Sequence, residues 1–132
     1  MKKIINTDSA PKPVGPYSQA IQAGSFLFLS GQVAIDPEEG RIVANDIKGQ
    51  TARVMENIKA LLQAARYSFS DVVQSNVYLS TMGLFSEFNS EYAKYFEKEL
   101  PVRVTVAAQL PAGALVEISV VAYKERNRAA ST

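Results

Sequence analysis

Only two stretches of this chain carry a helical period, and both lie in its middle. From Asp46 to about Arg66, the residues Ile47, Thr51, Met55, Ile58, Leu62 and Ala65 fall on one stripe, joined by Val54 and Leu61. That spacing predicts a helix with one apolar face. Lys48, Arg53, Glu56, Lys59 and Gln63 fall elsewhere on it, and Asp46 is placed to cap its start. A second helix is predicted from about Ser86 to Glu97, with Phe85, Phe88, Tyr92 and Phe96 marking its buried side. The rest reads as strand and turn. KKIIN, SQAIQAG and SFLFLSGQ precede the first helix, and DVVQSNVYLS lies between the two, with Val73, Ser75, Val77 and Leu79 on one face. PVRVTVAAQL and LVEISVVAY follow the second. The predicted order is β-β-β-α-β-α-β-β, an α+β sandwich with a six-stranded mixed sheet and two helices on one face. Two helices cannot cover both faces of so wide a sheet, so the open face is expected to pack against other copies of the chain.

With 132 residues, 47% of them hydrophobic, there is material for one core. A single domain is expected over residues 1–125, followed by a polar tail, 126–132, that frays. In APKPVGPYSQA the prolines Pro11, Pro13 and Pro16 forbid helix and central strand, leaving a fixed extended loop. DPEEGR, with Asp36, Pro37 and Gly40, is turn chemistry. MKKIINTDSAPKP lacks the apolar region of a signal peptide, and no apolar run approaches the roughly 18 residues of a membrane helix. A cytoplasmic location, with no membrane partner, is expected.

The chain has no cysteine and no histidine. Disulfides, thiolate or histidine metal sites, and Ser-His-Asp or Cys-His nucleophile systems are excluded. Chemistry must come from Arg, Lys, Asp, Glu, Tyr, Ser, Thr, backbone groups and water. A net charge of +1 supplies no strong field for nucleic acid or an anionic membrane.

Strand alternation singles out one residue. Val102, Val104 and Val106 share a face in PVRVTVA, and Arg103, Thr105 and Ala107 share the other. In LVEISVVAY the apolar set is Val116, Ile118, Val120 and Ala122, with Glu117 and Ser119 opposite. If these two strands form a hairpin with residue 105 opposite 117, Arg103 and Glu117 become diagonal neighbours, roughly 7–8 Å apart at the backbone. A guanidinium binds a carboxylate through two parallel hydrogen bonds, and a nearby carboxylate can hold a water or move a proton. The pair therefore suits a small substrate bearing a carboxylate. On these residues alone the commoner reading is a structural ion pair between strands. Tyr17 reads also as a loop anchor, Ser30-Gly31 as a strand end, Asn89 as part of a helix turn, and Thr105 as an ordinary strand residue.

Taken together, KKII, APKPVGPYSQA, LFLSGQVAIDPEEG, ENIKALLQAA, DVVQSNVYL, FNSEYAKYF, PVRVTV and the late LP and VEI run over about the first 125 residues. In order and spacing they resemble the RidA/YjgF family of imine deaminases. The family signature is matched by Pro101, Arg103 and Val116-Glu117-Ile118, with GPYSQA and SGQ in place. The resemblance implies a chorismate-mutase-like fold packed as a homotrimer with three clefts between subunits. It implies that Arg103 binds the substrate carboxylate and Glu117 orients the attacking water. Tyr17, Ser30, Gly31 and Asn89 would line the cleft, Gly31 through its backbone. Thr105 stands where the family often has cysteine, so a thiol step is impossible here, though a backbone contact could survive. Gln109 also departs from the small or basic residue usual there.

The activity so implied is hydrolysis of reactive 2-imino acids, formed from 2-aminoacrylate and its homologues, to 2-keto acids and ammonia, without metal or cofactor. Two alternatives stand beside it. One is an endoribonuclease or translation inhibitor, which near-neutral charge and absent histidine argue against. The other is a non-catalytic module binding a keto acid on the same Arg103. Glu117 beside Arg103 favours the enzyme.

Overall fold

The structure, a computed structural model, describes residues 1–125. The tail expected over 126–132 lies outside them. Six strands and two helices follow one another in the predicted order: β1 (Lys2–Ile5), β2 (Ala20–Ala23), β3 (Phe26–Leu29), α1 (Ile47–Ala64), β4 (Val72–Leu79), α2 (Phe85–Tyr92), β5 (Val102–Ala107) and β6 (Val116–Tyr123). They build one six-stranded sheet in the order β1-β2-β3-β6-β4-β5. Only β4 and β5 run parallel, joined by the crossover through α2; the other pairs are antiparallel.

β1, β2 and β3 form a meander because the Pro-rich segment and Gly24, at φ +60°, reverse the chain between them. Helix α1 starts where Asp46 accepts a hydrogen bond from the Gly49 amide at 3.2 Å. Its predicted stripe, from Ile47 to Ala65, is buried throughout. Both helices lie on one face of the sheet, and the core fills the space between. From the sheet, Leu27, Leu29, Val77, Leu79, Val116, Ile118, Val120 and Ala122 enter it. Two polar residues of the α1 stripe were not expected. Gln50 takes the Leu115 amide on its Oε1, and Asn57 donates to the Ile35 carbonyl at 2.9 Å.

Three sequence expectations are corrected. A bulge between Val72 and Gln74 moves Val73 off the buried face; Val72 is buried in its place, and Val73 is 43% exposed. The second helix ends at Tyr92 and not near Glu97, passing into a 3₁₀ turn over Ala93–Tyr95. Phe96 is extended yet still packs, its ring 4.9 Å from Tyr92 and 5.6 Å from Phe69. β5 and β6 form no hairpin, because β4 lies between them.

The face away from the helices is open and apolar. Val102, Val104 and Val106 project there from β5, and Ile4, Phe28 and Tyr123 from the other half of the sheet. Val102 is 69% exposed and Val104 58%.

Candidate functional site

The register fixes where each candidate points. Ser75 of β4 is paired with Arg103 on one side and Val120 on the other, so this row faces the helices. Tyr78 is paired with Val106 and with Glu117, so that row faces the open side. Arg103 and Glu117 therefore leave opposite faces of the sheet, from strands that are not neighbours. The diagonal pair inferred from a hairpin does not form. Arg103 has no ion pair among the described residues.

Around Arg103 the sheet edge and α2 build a cleft. β5 is the last strand of the sheet, and α2 crosses above it. The guanidinium carbon lies 5.6 Å from the ring centroids of Phe85 and Phe88 and 5.1 Å from that of Tyr92. A cavity of about 360 Å³ opens beside it, lined by Asn89, Tyr92, Ala93, Leu100, Pro101 and Arg103. Asn89 Oδ1, the Tyr92 hydroxyl, Thr105 Oγ1 and Ser75 Oγ are buried with no hydrogen-bond partner. The Tyr92 and Ser75 hydroxyls face one another without reaching hydrogen-bond geometry. Burial pushes the Tyr92 phenol up, against smaller opposing effects of Ser75 and the Arg103 charge. Four unsatisfied polar atoms around a free guanidinium is unusual, because buried polar groups are nearly always paired.

Glu117 belongs to a second group. The bridge between Gln32 and Ile118, with amide–carbonyl distances of 2.8 and 3.0 Å, sets Gly31 against the Glu117 side chain. A Cβ on Gly31 would come within 3.0 Å of Glu117 Cδ and closer still to Oε2. The φ of Gly31 is not positive, so a side chain there is opposed only by the end of the Glu117 side chain and not by backbone strain. Burial raises the Glu117 carboxyl above its ordinary value of 4.5. Ser30 donates its hydroxyl to the Ser18 carbonyl, and its amide to the Gln19 carbonyl at 3.0 Å. Tyr17, half exposed, accepts the Val14 amide on its hydroxyl at 3.3 Å. Tyr17 and Gly31 border a small crevice of about 40 Å³, and Tyr17 and Ser30 border a wider depression of about 410 Å³.

The candidate residues thus fall into two separate groups. Arg103, Asn89 and Thr105 lie on the helix side at the β5 edge, and Tyr17, Ser30, Gly31 and Glu117 lie around the end of β3. Sequence reasoning missed three supporting residues. Gln19, 3% exposed, accepts the Thr7 amide and donates to the Thr7 and Pro11 carbonyls, pinning the proline loop that carries Tyr17. The other two are Tyr92, on the predicted buried side of the second helix, and Ser75, on one face of its strand. A hydroxyl in each apolar stripe was the available signal. Among the described residues, no group of three or more His, Cys, Asp or Glu could hold a metal, and no helix is long and apolar enough to cross a membrane.

The family model described as Endoribonuclease L-PSP matches residues 7–124. The chain belongs to the RidA/YjgF family. It is 55% identical to a RutC family protein of Pyrococcus horikoshii over 95% of this chain and all of that protein. It is 38% identical to the chloroplastic Reactive Intermediate Deaminase A of Arabidopsis thaliana, over 92% of this chain and 65% of the plant protein. Among solved structures, the Rid family protein YyfA of Yersinia pestis superposes with a TM-score of 0.91 at 41% identity, covering 94% of this chain and all of that one. Escherichia coli TdcF with bound serine superposes at 0.89 and 34% identity, covering 93% and 99%. The RidA/YjgF fold is therefore that of the whole described domain, and family members include a reactive-intermediate deaminase.

Proposed function

We propose that this RidA/YjgF chain hydrolyses 2-imino acids to 2-keto acids and ammonia, at sites formed between copies of the chain. The observation that carries the reading is Arg103, a guanidinium with no acidic partner among the described residues, opening on a cavity whose lining includes the unsatisfied Asn89 Oδ1 and Tyr92 hydroxyl. Such a fork takes a carboxylate in two parallel hydrogen bonds. Asn89 at the cavity wall is placed to meet the substrate's polar groups.

The water-activating half comes from Glu117, whose carboxyl is raised toward the pH at which a base works best. Glu117 takes a proton from water as the water oxygen bonds to the imine carbon and the C=N π pair moves to nitrogen. Glu117 returns that proton to nitrogen, giving a carbinolamine; the carbinol hydroxyl proton then passes to the amino nitrogen, the C–N bond breaks, and ammonia leaves with the bonding pair as the carbonyl forms. Positioning of water and substrate supplies most of the acceleration.

Arg103 and Glu117 face opposite sides of one sheet, so a substrate a few ångströms long cannot span them within one chain. A second copy presenting its Tyr17, Ser30, Gly31 and Glu117 to the β5 edge joins the two halves. The exposed Val102, Val104 and Val106 on that strand favour such packing. The assembly proposed is a homotrimer, with the 2-imino or 2-keto acid as its small-molecule partner, no metal or cofactor, and a cytoplasmic setting. The test generates an imine from an amino acid with an oxidase, in the presence of semicarbazide. The protein is expected to lower the trapped fraction. Keto acid binding without any change in trapping would make this a binding module, and tight RNA binding with cleavage would replace the deaminase reading.

A further inference from the structure

We infer that Phe85, Phe88 and Tyr92 act together as a positioning collar that holds the Arg103 side chain in place of a counter-ion, leaving its hydrogen-bond donors for a carboxylate ligand. The inference rests on the carboxylate-clamp reading of Arg103 and concerns residues that no part of that reading assigns.

A half-buried arginine normally has an acid beside it, because an unpaired charge taken from water is costly. The Arg103 guanidinium has none among the described residues, nor a side-chain hydrogen bond to any of them. Three ring centroids at 5.1 to 5.6 Å stand where the acid would be. Ring faces attract a cation through the π quadrupole, within about 6 Å of the centroid. They offer no strong lone pair, so they stabilise the charge without occupying the five N–H donors. A carboxylate in the same place would compete with the ligand for the same fork.

The rings are themselves fixed. Phe85, Phe88 and Tyr92 lie at i, i+3 and i+7 on α2 and share one face of the helix. Phe88 is fully buried, and its ring lies 5.2 Å from that of Tyr92. Tyr92 is held in turn by Phe96 and faces Ser75, the strand neighbour of Arg103. Phe85 closes the box from outside at 36% exposure, so it can be changed with little effect on the core.

The experiment compares wild type with Phe85→Leu, which keeps apolar bulk and removes the ring, and Phe85→Tyr, which restores a ring. The readouts are the thermal midpoint, the affinity for 2-oxobutanoate by calorimetry, and the Arg103 Nε–H resonance in ¹⁵N-arginine-labelled protein. We expect thermal midpoints within about 5 °C of one another, a roughly tenfold weaker affinity in Phe85→Leu because the fork is no longer preorganised, and recovery of most of it in Phe85→Tyr. The Arg103 Nε–H resonance is expected to be ring-shifted in wild type and in Phe85→Tyr, and to move toward the free-arginine position in Phe85→Leu. Unchanged affinity in Phe85→Leu, or equal losses in the Leu and Tyr variants, overturns the collar. If wild type neither hydrolyses imines nor binds the keto acid, the clamp reading fails, and the resonance decides separately. A shift present in wild type and lost in Phe85→Leu upholds the collar, whereas no shift in wild type defeats it.

Discussion

Arg103 and Glu117 leave opposite faces of the same sheet, with β4 standing between their strands. Neither is the other's counter-ion. Arg103 is surrounded by rings and Glu117 is partly buried beside a glycine, and neither has an ion-pair partner among the described residues.

Arg103→Ala is expected to abolish imine hydrolysis and leave the fold intact, since no ion pair among the described residues is lost with it. Losing a two-pronged, charge-assisted contact costs about 2–5 kcal/mol of binding. At about 1.4 kcal/mol per decade that is a tens- to thousands-fold fall in kcat/KM. Arg103→Lys should recover little, because an ammonium lacks the planar fork. Thr105→Ala should matter far less. Steady-state kinetics beside circular dichroism melts check this; an active, stable Arg103→Ala protein would remove Arg103 from the site.

Gly31→Ala is a cleaner probe of Glu117 than Glu117 itself. The new methyl would occupy the carboxylate's space, and the group it meets is the end of a flexible side chain. With no positive φ to strain, the backbone should tolerate alanine. The expected result is a loss of turnover about as large as in Glu117→Gln, with a melting temperature close to wild type. A crystal structure of the variant should show Glu117 displaced.

The pH dependence follows from Glu117. Its carboxyl is raised in the folded chain, so the acid limb of kcat/KM in the wild type should lie above the position an unperturbed glutamate would give it. For stability, a raised carboxyl favours the folded state while it is protonated. That contribution is complete below its unfolded value and is lost as pH rises through the folded one. Glu117→Gln should therefore be at least as stable as wild type at neutral pH, with the advantage disappearing in acid. Denaturant melts across pH 4 to 8 would show the opposite trend if Glu117 were anchored by a cation.

Much of the fold was legible in the sequence, because its signals are local. The α1 stripe, the Asp46 cap and the alternation in β6 each follow from residues within one element. The sheet order was not legible. Chain neighbours β5 and β6 invite a hairpin, yet β4 inserts between them, and nothing local in PVRVTVA or LVEISVVAY records a strand from earlier in the chain. The site inherited that error: the residues named for it are placed in two groups, and their diagonal pairing is absent. The bulge at Val73 and the early end of α2 were missed for a related reason. The bulge lies in strand pairing and the helix end beside the Phe96 contacts with Tyr92 and Phe69, both outside the reach of local propensity.

Val104→Glu should separate the copies without unfolding them. Val104 is 58% exposed on the open face and contributes nothing to the core, so a charge there is harmless to one chain. Buried between copies, it would be desolvated without a partner. Sedimentation is expected to move from trimer toward monomer, with activity lost in parallel. A trimeric, active variant would place the assembly elsewhere.

The two-copy site makes a prediction that no single-chain site can share. Arg103→Ala and Glu117→Gln are each expected to be inactive, because each removes one half of every site. If both halves came from the same chain, unfolding and refolding the two variants together would leave every site with one defect, and no activity would return. If Arg103 of one copy meets Glu117 of the next, random reassembly at equal amounts creates some sites that draw Arg103 from a Glu117→Gln chain and Glu117 from an Arg103→Ala chain. The chance of each half being intact is one in two, so about a quarter of the wild-type activity should return. The recovery should follow the product of the two variant fractions as the ratio is changed, with its maximum at equal amounts. It should also vanish when Val104→Glu is added to both chains, since the sites then cannot assemble. Mixing without refolding provides the control, since intact assemblies that exchange slowly would stay inactive until their subunits redistribute. Zero recovery after verified exchange would return Arg103 and Glu117 to separate roles and end the shared-site reading.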